Sequence, residues 1–226
     1  MESLIFSKKT TNTWVILQKK SKKPQTEIKT LQNQIQNVSK ETTVTRTNES
    51  HNYSEEFLTR ISLLKKINDF EIVYEFFEEL SSEDNHEMIS KACEEGLWLK
   101  KTKLDVMNVL HVASEKRNLK LVKSLIECGC DKETKNEYGW TPLIYASYYS
   151  HLEVVKYLIS VGADKEAKFG NGNNPLIWAS RKGHLEVVKY LISVGADKYA
   201  WDNDVKTALS YANSNVRDYL NSIGAK

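Results

Sequence analysis

The sequence has no apolar run near the roughly 20 residues that cross a bilayer. Its most apolar early stretch is only Trp14-Val15-Ile16-Leu17. The N-terminus lacks both the apolar centre and the small-residue cleavage site of a signal peptide, so an intracellular protein is expected, with cytoplasm and nucleus equally open. Cysteine is scarce. Cys93, Cys128 and Cys130 form an odd set, unlike the even number of a secreted disulfide framework. No neighbouring His or Cys pair completes a zinc spacing around Cys128 and Cys130, so reduced, half-buried thiols are expected and no metal. An excess of one charge is lacking too: 32 basic against 30 acidic residues leave +2.

What is present is unevenly spread. At 40% apolar and 27% charged over 226 residues, the composition fits a soluble protein with a modest core, in one large domain or two small ones. Net charge is +5 over residues 1–52, −5 over 53–103 and +2 over 104–226. The first segment is polar, with a basic cluster at Lys19-Lys20-Ser21-Lys22-Lys23 and one short helical pattern at Ile28, Leu31, Ile35 and Val38. It reads as a disordered basic tail. In 53–103, Phe57, Ile61, Leu64 and Ile67 share one helical face, and Ile72, Val73, Phe76, Phe77 and Leu80 a second. A third helix starts near Met88 and ends at Gly96.

From residue 104 the chain repeats itself every 33 residues. Leu110, Leu143, Leu176 and Leu209 keep that spacing, as do Ala113, Ala146, Ala179 and Ala212, and Gly129, Gly162 and Gly195. His151 through Lys165 recurs identically as His184 through Lys198. Thr141 before Pro142 predicts a capped helix start, and Asn108, Asn174 and Thr207 stand at the same place. Leu143 and Ala146 then face inward. A second helix starts near Leu152, with Leu152, Val155, Leu158 and Ile159 as its apolar face, and Gly162 ends it. The polar stretch between units suits a hairpin-like connector. Such a unit cannot bury its own faces, so its stability comes from stacking.

Gly139-Trp140-Thr141-Pro142-Leu143, Gly183-His184-Leu185-Glu186-Val187-Val188 and Gly195-Ala196-Asp197 resemble the ankyrin repeat. The duplicated wording resembles the large ankyrin families of protists. The resemblance implies an all-α solenoid of helix-turn-helix repeats with β-hairpin-like loops, binding a partner protein on its concave side. The units expected are 104–135, 136–168, 169–201 and a truncated 202–226. They follow a helical unit with a degenerate capping half-repeat at 53–103, where Ala92 to Leu97 echoes Ala179 to His184. The acidic helices at 53–80 are expected to cover the open end of the stack. Arg117 and Ser150 stand where the family prefers Gly between the helices, and Val106 and Val205 replace its loop Gly. Those turns are expected to be strained or altered.

By register, the family's variable positions fall on Glu115 and Lys116, on Tyr138, Trp140, Tyr148 and Tyr149, on Asn171, Asn173, Arg181 and Lys182, and on Asn203 and Lys206. Tyr138, Trp140, Tyr148 and Tyr149 make the second unit the favoured contact, with Trp140 at its tip. Packing of Tyr148 and Tyr149 on Glu115, Lys116, Arg181 and Lys182 is the competing reading of the same residues. Tyr145 and Trp178 are expected to pack between repeats.

No phosphate loop or nucleophile setting is found, and the repeat register explains His111, His151 and His184. The expected function is non-catalytic protein–protein interaction as scaffold, adaptor or inhibitor, by a monomer without cofactor, metal or small-molecule substrate. The alternative places a targeting or nucleic-acid-associated activity in the basic tail. The nearly neutral array argues against phosphate-dominated binding. An enzyme regulated by the repeats would have only about 50 helical residues outside them, without a pocket signature.

Overall fold

In a computed structural model, residues 53–225 are described. The basic tail of 1–52, with its lysine cluster and short helical pattern, lies outside them. The chain divides after Leu63 into two compact parts. The first is described only over 53–63, which begin helix α1 (Glu55–Lys66), with Phe57 and Ile61 one turn apart on its buried face. Among the described residues no helix is long and apolar enough to cross a membrane.

The second part is a stack of antiparallel helix pairs. They are α2 (Phe70–Ser82) with α3 (His86–Glu94), α4 (Val109–Glu115) with α5 (Leu119–Glu127), and α6 (Pro142–Tyr148) with α7 (Leu152–Ser160). After them come α8 (Pro175–Lys182) with α9 (Leu185–Ser193), and α10 (Ala208–Tyr211) with α11 (Ser214–Ser222). First helices stack as α4–α6–α8–α10 and second helices as α3–α5–α7–α9–α11. A short 3-10 turn, Leu97–Leu99, joins α3 to the underside of α4.

Capping residues fix where each pair begins. The Asn108 and Asn174 side chains accept from the third amide of their helices at 3.1 and 2.9 Å, and Thr141 Oγ1 does so at 3.4 Å. Each such cap contributes about 1 kcal/mol. The first helix ends when the amides of Asn118, His151 and His184 donate back to Ala113, Ala146 and Ala179 carbonyls at 2.9 Å. The small Ala side chain there lets the second helix lie close. In that helix Val154, Val155 and Leu158 are wholly buried, whereas Leu152 and Ile159 are half-buried. The buried arc is thus rotated from the expected one, because α7 is covered by α5 and α9 on its sides as well as by α6.

The 33-residue register extends one unit further toward the N-terminus than the sequence reading gave. Asn85 N donates to Leu80 O at 3.0 Å, the counterpart of the three bonds above. Asn85 Oδ1 caps α3 as Asn118 Oδ1 caps α5. Gly96 is therefore the residue after the second helix, in line with Gly129, Gly162 and Gly195, and not the inter-helix turn that the echo of Gly183 suggested. Its first helix departs from the others: α2 runs 13 residues where its counterparts α4 and α6 have 7, and its main partner across units is α5.

The non-glycine turns keep the repeat geometry and carry strain. Arg117 and Ser150 sit left-handed at φ 61° and 64°, in place of Gly183 at 78°, and Asp84 joins them at 55°. Val106 and Val205 occupy loop positions at φ 51° and 58°, matching Gly139 and Gly172. The hairpin turns survive the substitution, at a cost of about 1 kcal/mol or more for a β-branched residue. The last unit is short: α10 has 4 residues, and Gly224 follows Gly195 by 29 residues instead of 33.

Candidate functional site

The connectors are tight hairpin loops. Asn136 N donates to Trp140 O at 3.1 Å, and Asp202 N to Lys206 O at 3.0 Å. In both, the side chain at the loop entry braces the turn. Asn136 Oδ1 accepts from Tyr138 N and Trp140 N at 3.0 and 2.8 Å, and Asp202 Oδ1 from Asp204 N and Lys206 N at 2.9 and 3.0 Å. The same two residues latch the next helix. Asn136 Nδ2 donates to Tyr145 Oη at 2.9 Å, and Tyr211 Oη donates to Asp202 Oδ2 at 2.6 Å.

The unit between them departs from this plan. Phe169 stands where Asn136 and Asp202 stand, and Trp178 where Tyr145 and Tyr211 stand. A polar brace and latch give way to two stacked rings, with centroids 5.9 Å apart and planes 20° from parallel. Trp178 Nε1 is buried without a hydrogen-bond partner in the described structure. An unpaired buried donor costs about 1–3 kcal/mol relative to one that is hydrogen-bonded.

Phe169 N still closes its hairpin on Asn173 O at 3.4 Å, while its ring joins a cluster across α6 and α8. Trp140 lies at its centre, with centroids 4.9 Å from Tyr145, 5.2 Å from Tyr148 and Phe169, and 5.3 Å from Trp178. Tyr148 also meets Trp178 at 5.1 Å and Tyr149 at 4.9 Å. Cations rim this cluster. The Arg181 guanidinium carbon is 5.3 Å from the Trp178 ring centre and 5.0 Å from that of Tyr211, and Lys182 Nζ is 4.2 Å from that of Tyr148. At the opposite edge, burial holds the Glu115 carboxyl above its ordinary range, with the Tyr149 hydroxyl nearby opposing that shift. Burial and the Glu115 charge both push the Tyr149 hydroxyl upward.

Of the residues expected at the contact surface, Tyr138 and Tyr149 are 55% and 43% exposed, and Asn171, Arg181 and Lys182 are also exposed. Trp140 and Tyr148 are half-buried. Trp140 is therefore the centre of the cluster and not a protruding tip; the loop tip is Glu137-Tyr138. Asn173 is a correction: it is wholly buried, because it holds the inward register position of Trp140 in the next unit. Tyr145 and Trp178 do make contacts between repeats, to His111 and to Trp140 and Tyr148 respectively. Phe169 was missed. The signal was available as an aromatic at the register position of Asn136 and Asp202.

His111, His151 and His184 serve the stack. His111 Nδ1 accepts from Asn108 N at 3.2 Å, which puts the proton on Nε2, 3.0 Å from the carbonyls of both Thr134 and Trp140. Burial pushes its pKa down to about 4. His151 Nε2 and His184 Nε2 reach Glu115 O and Tyr148 O at 2.6 and 2.8 Å, tying each unit to the helix before it. Among the described residues no group of His, Cys, Asp and Glu is placed to hold a metal ion.

Equivalent helix pairs stacked at a fixed period define a repeat protein whose outer surface is assembled from the same positions of neighbouring units. The family profile described as Ankyrin repeats (3 copies) matches residues 66–169 and 165–223, and the chain belongs to the ankyrin-repeat family. Comparison with curated proteins gave no match. Ankyrin repeats are generally protein–protein interaction modules.

Proposed function

We propose that this protein binds a partner protein, without catalysing a reaction, through the concave face formed by α6, α8 and their loops. The observation that carries this reading is the pair of rings that stands, in the unit of Phe169 and Trp178, where both adjoining units have a polar latch. The neighbouring units show that the fold is served by Asn136 with Tyr145 and by Asp202 with Tyr211. Phe169 and Trp178 instead enlarge an aromatic surface flanked by exposed Tyr138 and Tyr149. Tyr and Trp offer large contact area at small entropic cost, which is why they dominate binding hot spots. The non-catalytic part of the reading is supported by His111, His151 and His184, whose Nε2 atoms each meet a backbone carbonyl of a neighbouring segment.

Affinity capture with the full chain tests this, comparing wild type with Tyr138→Ala/Tyr149→Ala. Tyr138 lies outside the ring cluster and Tyr149 at its edge, so Trp140, Tyr145, Tyr148, Phe169 and Trp178 keep their mutual contacts in the variant. Retention of the captured partner should fall by about tenfold or more, the loss of one hot-spot residue. Undiminished retention overturns the reading.

A further inference from the structure

We infer that the segment bound on this face is acidic, with carboxylates beside aromatic or aliphatic side chains. This rests on the reading above and names the chemistry of its partner. Three cations, Arg181, Lys182 and Lys206, line the face from α8 to the last loop, each over an aromatic ring. Lys206 Nζ is 5.6 Å from the Tyr211 ring centre, completing the row begun by Arg181 and Lys182. None of the three forms an ion pair among the described residues. Some lysines elsewhere are paired, as Lys156 is with Glu153 at 2.8 Å and Lys116 with Glu71 at 2.7 Å, and others lie singly over a ring, as Lys123 does over Tyr157; among the described residues, only on this face do three such cations adjoin one ring cluster.

Of the nearby acids, Asp204 is exposed in the loop that carries Lys206 and forms no ion pair with it. Asp202 holds two loop amides and the Tyr211 hydroxyl, and it is buried. Glu115 lies at the far edge, beside Tyr149. The cations are therefore held in place by the rings beneath them and left with their charge-assisted donors open. Arg181 presents a planar fork suited to a carboxylate, and Lys182 a point charge beside it. The rings between them supply apolar contact for neighbouring side chains of the same segment.

A single-stranded nucleic acid would also use rings and cations. The charge balance disfavours it, since residues 104–226 sum to only +2 and Glu115 closes one edge of the face. The acidic edge at Glu115 and the cationic edge at Arg181 also give the bound segment a direction, with its carboxylates toward α8 and the last unit.

The test is a selection of displayed random peptides on the immobilised full chain, followed by binding measurements on the recovered peptides. The recovered sequences should be enriched in Asp and Glu beside Trp, Phe or Leu. Their affinity should drop by about tenfold or more in Arg181→Ala/Lys182→Ala and weaken from low salt to about 0.15 M. The charge-reversed variant Arg181→Glu/Lys182→Glu should recover basic peptides instead, which also shows that the variant surface is folded. Recovery of uncharged or basic peptides by wild type overturns the inference, as does binding unchanged in the charge variants, displacement by a mixed-sequence single-stranded oligonucleotide, or no enrichment at all. Peptides lost in Tyr138→Ala/Tyr149→Ala but kept in the charge variants overturn only the partner chemistry. Peptides indifferent to both sets overturn the proposed surface as well.

Discussion

Asn213 fills the space in front of Gly183: a Cβ on that glycine would stand 3.0 Å from Asn213 Cγ and closer still to Nδ2. The clipped last unit is the cause. With α10 shortened to 4 residues, Asn213 is drawn against the preceding turn, where its Oδ1 caps α11 by accepting from Val216 N. Gly183 is thus required by its neighbour as well as by its own φ of 78°. Arg117 and Ser150 face full-length units and tolerate a side chain.

Gly183→Ala should therefore destabilise the chain by about 2 kcal/mol, half from the left-handed backbone and half from the disturbed cap. Ser150→Gly should do the opposite and gain up to about 1 kcal/mol. Urea unfolding of the two variants checks the pair. Equal effects would mean that the turn conformation alone matters.

Val205 is 77% exposed, so its side chain contributes little packing while holding φ at 58°. Val205→Gly should raise stability by about 1 kcal/mol. A lower melting temperature in the variant would show that the valine makes a contact worth more than its strain.

The buried imidazole of His111 predicts a pH dependence. Its folded value, about 4, lies below the ordinary 6.5, so the unfolded chain takes up the proton first as pH falls. The stability it contributes is present above about pH 6.5 and is lost progressively toward pH 4, for a total of roughly 3 kcal/mol. Burial shifts His151 in the same direction. His111→Gln should flatten the dependence in that window. A variant with the wild-type slope would contradict the assignment.

Cys93 and Cys130 are buried with their sulfurs 3.5 Å apart, while Cys128 is half-exposed. A soluble thiol reagent should modify one cysteine in the native chain and three after unfolding. Rapid native modification of three would show that the contact between α3 and α5 opens easily.

Phe169→Asp separates folding from binding. The carboxylate can brace the loop as Asp202 does and accept from the orphaned Trp178 Nε1. The variant should keep its stability within about 1 kcal/mol and lose partner retention. Loss of stability with unchanged binding would return the ring cluster to a packing role.

Much of the fold was legible because the period writes the same physics several times. Thr141 with Pro142, and Asn108 and Asn174, mark helix starts by side-chain chemistry that tolerates few alternatives. The first unit was read in the wrong register because Ala92-Cys93-Glu94-Glu95-Gly96 imitates a first-helix ending. The better signals were positional: Gly96 lies 33 residues before Gly129, and Ser81 lies in line with Ser114, Ser147 and Ser180. At the candidate site, register named the exposed Tyr138, Tyr149, Arg181 and Lys182. It misplaced Asn173 and Trp140, whose burial depends on neighbouring units. It could not supply Phe169, because a loop-entry aromatic gains its place only when Trp140 and Trp178 are brought beside it.

Amide hydrogen exchange of the full chain with and without its captured partner tests the central claim most directly. Protection on binding should concentrate in 137–149 and 169–182, the loops and first helices that carry the rings and cations. Protection confined to the second helices 152–160 and 185–193, or to residues 1–52, would contradict the account.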